Sequence, residues 1–316
     1  MTKIYFVFIL FNLTTANSFG QTPAALEIDI MNTQKSITGI GTVIFDSIIV
    51  KGKKQLGRKY VTIGSGLVTY SKVGATSIYS FVTAKHVINF FIENKIKSIY
   101  IRPSWADTIK TTEYFGVEIP LVNSDGTPNY FLYPESNIDL GTIIMLPNYA
   151  DTMFVKQINN TVIFPYNQMT TSFLGEQVWI AGYPDHIDIE FQNRFFYSMS
   201  TFKPGHIAWK PAPNMDNKDL NHITLIECNA THGNSGGPVF SLNNQRLELE
   251  GILVGGYEES NKIYINNRTV TDSSTKNDLV SKGRSGVSIM EKAEYVKRLE
   301  AYVEAQIIEI INKTKK

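Results

Sequence analysis

Short runs of β-branched and aromatic residues recur along the chain, each closed by Gly, Ser, Lys or another polar residue. They fall at 42–45, 66–70, 78–82, 98–101, 140–145, 177–181, 195–199, 223–226, 239–240 and 251–254. Such runs suit a pleated, half-buried surface. Many short strands without intervening long helical periods predict a sandwich or barrels rather than alternating βαβ units. Two helices interrupt the pattern. One is expected over 87–93. The other runs from about 291 to 312, where Val296, Leu299, Val303, Ile307 and Ile310 recur at spacings of three and four. That spacing makes one apolar stripe, suited to docking on the rest of the protein.

The polar run 167–172 separates two strand-rich halves. The expected organisation is an N-terminal barrel over 35–165, a C-terminal barrel over 170–290, and a terminal helix and tail over 291–316. The segment 258–284 is polar and charged and reads as a long surface loop. No internal repeat is visible in the sequence.

Composition adds constraints. Of the 316 residues, 43% are hydrophobic and 19% charged, a globular balance. The net charge of +1, with Lys and Arg scattered, argues against a nucleic-acid partner. Residues 1–20 read as a signal peptide: Lys3, an apolar core over 4–11, then a small-residue exit with cleavage after Gly20 or Ala16. A secreted or periplasmic protein is therefore expected, with no stable membrane association once the signal is removed. Cys228 is the single cysteine, so no intramolecular disulfide can form. It closes an apolar strand without a basic neighbour and reads as a small buried hydrophobe rather than a nucleophile. No His/Cys/Asp cluster has metal-ligand spacing, so neither metal nor cofactor is expected.

The run Gly233-Asn234-Ser235-Gly236-Gly237-Pro238 is the strongest chemical signal. A serine needs a base to take its proton and donors to hold the oxyanion it generates. Glycines on both sides permit a turn that aims the N–H groups of Gly233 and Ser235 at one point. The run also fits the Gly-x-Ser-x-Gly elbow of α/β-hydrolases. That elbow leads into a helix and has its histidine downstream. Here Pro238-Val239-Phe240 continues as a strand, and no histidine follows Ser235. Upstream, His86 stands where an apolar strand gives way to a helix, a place that holds a side chain rigidly beside a cleft. His186, His206 and His222 read as core or capping residues. His232 directly precedes Gly233 and is placed to line the cleft. Asp139 is flanked by Ile138 and Leu140, a poor setting for a lone carboxylate unless an imidazole pairs with it.

The order His86, Asp139, Ser235 is that of the chymotrypsin-type triad. With Thr83-Ala84-Lys85-His86, Asn137-Ile138-Asp139-Leu140, Gly182-Tyr183-Pro184 and the Ser235 run, the chain resembles the trypsin/chymotrypsin-like serine peptidases, nearest to the disulfide-free bacterial members. The resemblance covers roughly 38–305. It implies an all-β fold of two antiparallel six-stranded barrels with a C-terminal helix, and the triad at their junction. It implies an oxyanion hole at Gly233 and Ser235. It places the specificity pocket at Asn229, with Gly256 and Gly286 on its walls and His232 near its mouth. With no acid at Asn229, a neutral or apolar P1 residue is expected. Asn234 replaces the Asp that pairs with a newly cut N-terminus in zymogen-activated relatives. Val254 replaces a usual Ser. The expected function is hydrolysis of protein or peptide substrates by a serine endopeptidase. The alternatives are a catalytically inactive peptide-binding relative and an ester hydrolase on the same fold.

Overall fold

The computed structural model describes residues 33–145 apart from 35, 51–52, 74–75 and 104–116, and residues 172–314 apart from 185–189, 192–193, 196–199, 213–216, 218, 244–245, 263, 266–267 and 270–279. The signal-peptide reading and all of the 167–172 run but Ser172 lie outside the described residues.

The first half holds β1 (Ile37–Val50), β2 (Lys53–Val73), β3 (Thr76–Ala84), helix α1 (Lys85–Glu93), β4 (Ser98–Pro103), β5 (Val117–Pro120), β6 (Tyr130–Leu132) and β7 (Leu140–Met145). These strands form one antiparallel sheet in the order β5-β4-β1-β2-β3-β7-β6. Alternation along β3 explains its place in the molecule, because successive side chains face opposite sides of a sheet. Phe81 packs inside this unit with Ile40, Val68, Ile99 and Ile143. Its neighbour Val82 faces the other way, with Leu67, Leu140, Phe240 and Ile252, in the cluster that joins the two halves.

The second half holds β8 (Gln177–Gly182), the two-residue strands β9 (Glu190–Phe191) and β10 (Arg194–Phe195), then β11 (Thr201–Trp209), β12 (Ile223–Glu227), β13 (Pro238–Asn243) and β14 (Arg246–Lys262). The short pair β15 (Tyr264–Ile265) and β16 (Arg268–Thr269), β17 (Val280–Lys292) and helix α2 (Ala293–Thr314) complete it. Six strands close into a barrel in the order β11-β12-β17-β14-β13-β8, with β8 pairing back to β11. Val178, Ile180, Ile207, Ile226, Val239, Leu253 and Met290 fill it.

The all-β, two-unit plan with a C-terminal helix is the expected one, with four differences. The first unit is a curled seven-stranded sheet rather than a closed six-stranded barrel. Its ends meet through Asn129, whose N–H donates to Leu121 O (2.8 Å) and whose carbonyl accepts from Ile144 N (3.0 Å), while its side-chain amide donates to Pro120 O (3.1 Å). The segment expected as a surface loop at 258–284 begins and ends as a hairpin arm, because β14 and β17 stay paired from Glu258↔Arg284 to Lys262↔Val280. β11 was not expected, since Pro204 and Gly205 interrupt its pattern. Helix α2 starts at Ala293, because Glu291 and Lys292 are still paired in β17. Val296, Leu299 and Val303 are buried and Ile307 half-buried, whereas Ile310 is exposed where the helix outruns the body.

Candidate active site

His86 lies in the first turn of α1, just past the end of β3. Helix N-termini leave N–H groups without intrahelical partners. The preceding Ala84 supplies no side-chain cap. Asp139 fills that role. Its backbone carbonyl accepts from Lys85 N (3.1 Å), and its Oδ1 accepts from His86 N (2.8 Å). A carboxylate there is also favoured by the helix dipole. The pairing Ala84↔Leu140 between β3 and β7 sets this register, and buried Ile138 and Leu140 anchor the chain on both sides. The second oxygen, Oδ2, lies 2.6 Å from His86 Nδ1. A carboxylate facing Nδ1 holds the proton there and leaves Nε2 as the basic nitrogen.

The serine turn belongs to the second unit but is tied to the first. Ser65 N donates to Ser235 O (2.7 Å), and Ser65 Oγ donates to Gly233 O (2.6 Å). The same Oγ accepts from Tyr183 N (2.7 Å), and Ser65 O accepts from Thr83 Oγ1 (2.7 Å). Gly233 and Gly236 both have φ of +85°, in the left-handed region that favours glycine. A Cβ at Gly236 would collide with Thr83 Oγ1 and Ser65 O and lie 3.0 Å from Ala84 N. The turn therefore packs against the strand end that leads into His86. Within it, Asn234 N donates to Thr231 O, Gly236 N to Leu253 O, and Gly237 N to Asn234 O. The N–H groups of Gly233 and Ser235 have no partner among the described residues. Ser235 Oγ likewise makes no hydrogen bond among them, to His86 Nε2 or to any other atom. Asn234 is buried, and its amide nitrogen donates to Thr231 Oγ1 (3.2 Å).

Behind Asp139 lies a pair that the sequence reading did not connect to the site. Asp139 N donates to Glu291 Oε1 (2.9 Å), and Glu291 Oε2 is 2.7 Å from His222 Nδ1. Both side chains are buried, Glu291 at 1% relative exposure. Burial pushes the Glu291 carboxyl above its ordinary range, against the pull of the Asp139 and His222 hydrogen bonds. His222 is thus a core histidine, as expected, but one that reaches the candidate acid through a single carboxylate. The available signal was Glu291 itself, an acidic residue ending the strand pattern 287–290.

The three segments assigned to the specificity pocket are adjacent, since β17 runs between β12 and β14. Cys228 N donates to Gly286 O (2.7 Å), and Gly256 pairs with Ser288. Asn229, His232 and Gly256 are exposed, and Gly286 is half-buried. Cys228 is buried, and burial raises its thiol pKa. His206 is exposed on β11, and His186 lies outside the described residues.

Number six strands of each unit in chain order, setting β5 aside, and both units run 1-2-3-6-5-4 around their axes. Two such β-units with a C-terminal helix define the chymotrypsin-like double-barrel class. No protein-family model matches the chain, and no curated protein sequence does. Among solved structures it is similar to the MamO protease domain from Magnetospirillum magneticum, at 13% identity and a TM-score of 0.44, covering 85% of this chain and 97% of that one. It is also similar to the HtrA-type protease AlgW bound to a decapeptide, at 14% identity and a TM-score of 0.44, covering 90% of this chain and 67% of that one.

Proposed function

We propose that this chain is an exported serine endopeptidase. The observation that carries the reading is the 2.6 Å contact from Asp139 to His86 Nδ1, beside the Ser235 turn that Ser65 of β2 bonds to the first unit. His86 Nε2 takes the proton from Ser235 Oγ as that oxygen attacks the substrate carbonyl carbon. Asp139 stabilises the resulting imidazolium. The free N–H groups of Gly233 and Ser235 hold the oxyanion. Collapse expels the amine, which takes the proton from His86, and leaves an acyl-enzyme. Water then repeats the sequence and releases the acid. Asn234 is bonded within its own turn, which supports a site that needs no newly cut N-terminus. The uncharged Asn229 supports a neutral or apolar P1 residue, and the 1–20 segment supports export.

One observation favours a second reading, an inactive peptide-binding relative: Ser235 Oγ is not bonded to His86. Catalytic hydrogen bonds commonly tighten only with substrate in place. One experiment separates the two. The mature protein and Ser235→Ala are treated with a fluorophosphonate and a mixed peptide library. The peptidase labels at Ser235 and cleaves, and the variant does neither. A wild type that binds peptide without labelling or cleaving would establish the second reading.

A further inference from the structure

We propose that Glu291 is a positioning residue that fixes the catalytic acid Asp139 to the barrel carrying the nucleophile, and that His222 holds Glu291 in place. The proposal rests on the peptidase reading for its kinetic consequence, though not for its geometry.

Asp139 has four polar groups, and all four are bonded. Three bonds stay within the first unit: Oδ1 to His86 N, Oδ2 to His86 Nδ1, and the carbonyl to Lys85 N. Its N–H alone crosses to the second unit, to Glu291 on β17. A carboxylate with only 1% relative exposure is costly unless both oxygens are satisfied. Here one oxygen takes Asp139 N–H and the other faces His222 Nδ1. β17 fixes Glu291 by pairing it with Ile223 on one side and Ile252 on the other.

His222 is held just as firmly. Its carbonyl accepts from Lys292 N (3.1 Å), and its ring meets Tyr295 edge to face at 5.9 Å. His222 Nε2 is buried with no partner among the described residues. A proton on Nε2 would be a buried donor without an acceptor among the described residues, so the tautomer that donates from Nδ1 to Glu291 fits this site. Glu291 then offers one oxygen to each of the two donors, Asp139 N–H and His222 Nδ1–H. Ser65 ties the serine turn to the first unit, and Glu291 ties the acid to the second. Together they fix the approach of His86 to Ser235 from both sides.

The test uses the full chain with His222→Phe as background, which removes the second imidazole and keeps the ring contact with Tyr295. In that background Glu291→Gln keeps an oxygen for Asp139 N–H, and Glu291→Leu removes it. With a peptide substrate, the Gln form is expected to fall below wild type, because His222 no longer holds residue 291, and to keep kcat well above that of the Leu form. The Leu form should lose roughly 10- to 100-fold in kcat with KM nearly unchanged, the scale of a small misplacement of a catalytic group. The proton NMR resonance of His86 Nδ1–H should persist in the Gln form and broaden by solvent exchange in the Leu form. Equal kcat and an equally sharp resonance in the two forms would overturn the proposal. If the Leu form does not fold, Glu291→Asp alone, one methylene too short to reach Asp139 N–H, is expected to show the same losses. If the wild type does not react with fluorophosphonate, the peptidase reading falls. The His86 resonance then decides the positioning role by itself: a sharp signal without the Glu291 oxygen overturns it.

Discussion

The two β-units arrange six strands in the same order but close in different ways. The second closes by an unbroken ladder from β8 round to β11. The first leaves β5 and β6 at its ends and joins them through buried Asn129, with the isolated bridge Val122↔Pro128 beside it. The candidate chemistry divides along the same line. The imidazole and its carboxylate come from the first unit, where a strand end, a helix start and a strand entry are locked by register. The serine and the free N–H groups come from the second, on a glycine turn that depends on Ser65 and Thr83 of the first unit for support. Neither unit holds a working constellation alone. What the two share is a strand order, and what differs is the kind of backbone each offers: a rigid end for the groups that must point, a tight turn for the groups that must approach.

The largest expected effect breaks this division. Ser235→Ala and His86→Ala lie on different units, yet each should lower kcat about 10⁴-fold or more, and the double variant should be no worse than either. Steady-state kinetics with a peptide substrate gives all three values. Losses that add would mean the two residues do not act as one site. A matched pair of glycines sharpens the contrast further. Gly236 and Gly126 have nearly the same positive φ, +85° and +86°. A Cβ at Gly126 meets nothing within 4 Å, whereas at Gly236 it meets Thr83 and Ser65. Gly126→Ala should cost only about 1 kcal/mol of stability for the backbone strain, without touching activity. Gly236→Ala adds the collision, so the turn must move. Its activity should fall by about 100-fold, the effect of misplacing a nucleophile by an ångström or so. Thermal unfolding and fluorophosphonate labelling rates separate the two effects.

Asn129 tests closure itself. Asn129→Ala keeps the backbone bonds to Leu121 and Ile144 but strips Pro120 O of its partner. A loss of about 1–3 kcal/mol is expected, the cost of leaving a buried polar group unpaired. Denaturant unfolding should show a lower midpoint. No single side chain closes the second barrel, so its stability should be spread along the β8–β11 ladder rather than concentrated at one residue.

Much of this was legible in the chain. The strand runs fall within strands wherever they are described, apart from 195–199, where only Phe195 is, and 140–145 coincides with β7. The pairing of Asp139 with His86 followed from a carboxylate set between apolar neighbours, because Ile138 and Leu140 can be buried only if the acid between them finds a partner. Three things were not legible, each for a physical reason. β11 hides behind Pro204 and Gly205, which local propensity reads as a break although the barrel pairs them with Trp179 and Val178. The hairpin arm of β14 and β17 is polar, so its pairing has no hydrophobic alternation to announce it. The Glu291–His222 pair is non-local: 152 residues separate Glu291 from Asp139, and no spacing rule links them.

The smallest effect concerns the cores. The fully buried members of the first unit's apolar cluster include no ionisable side chain, while the apolar cluster that fills the second barrel includes the Cys228 thiol. Burial raises its thiol pKa above the ordinary 9.0, and Lys203 nearby opposes the shift without cancelling it. The sign follows from proton counting. Below pH 9 both folded and unfolded thiols keep their proton, and the stability is fully present. Above pH 9 the unfolded thiol ionises while the folded one does not, so the unfolded state gains and stability falls until the folded pKa is passed. Wild type should therefore lose stability relative to Cys228→Ala as pH rises above 9, with a flat difference below it. Urea midpoints from pH 7 to pH 10 measure this. The same burial should make Cys228 react with a thiol reagent far more slowly in the folded protein than in urea. Because Cys228 N is bonded to Gly286 O beside Asn229, a peptide that occupies the proposed pocket should slow that reaction further. A thiol that reacts at the same rate with and without peptide would place the pocket elsewhere.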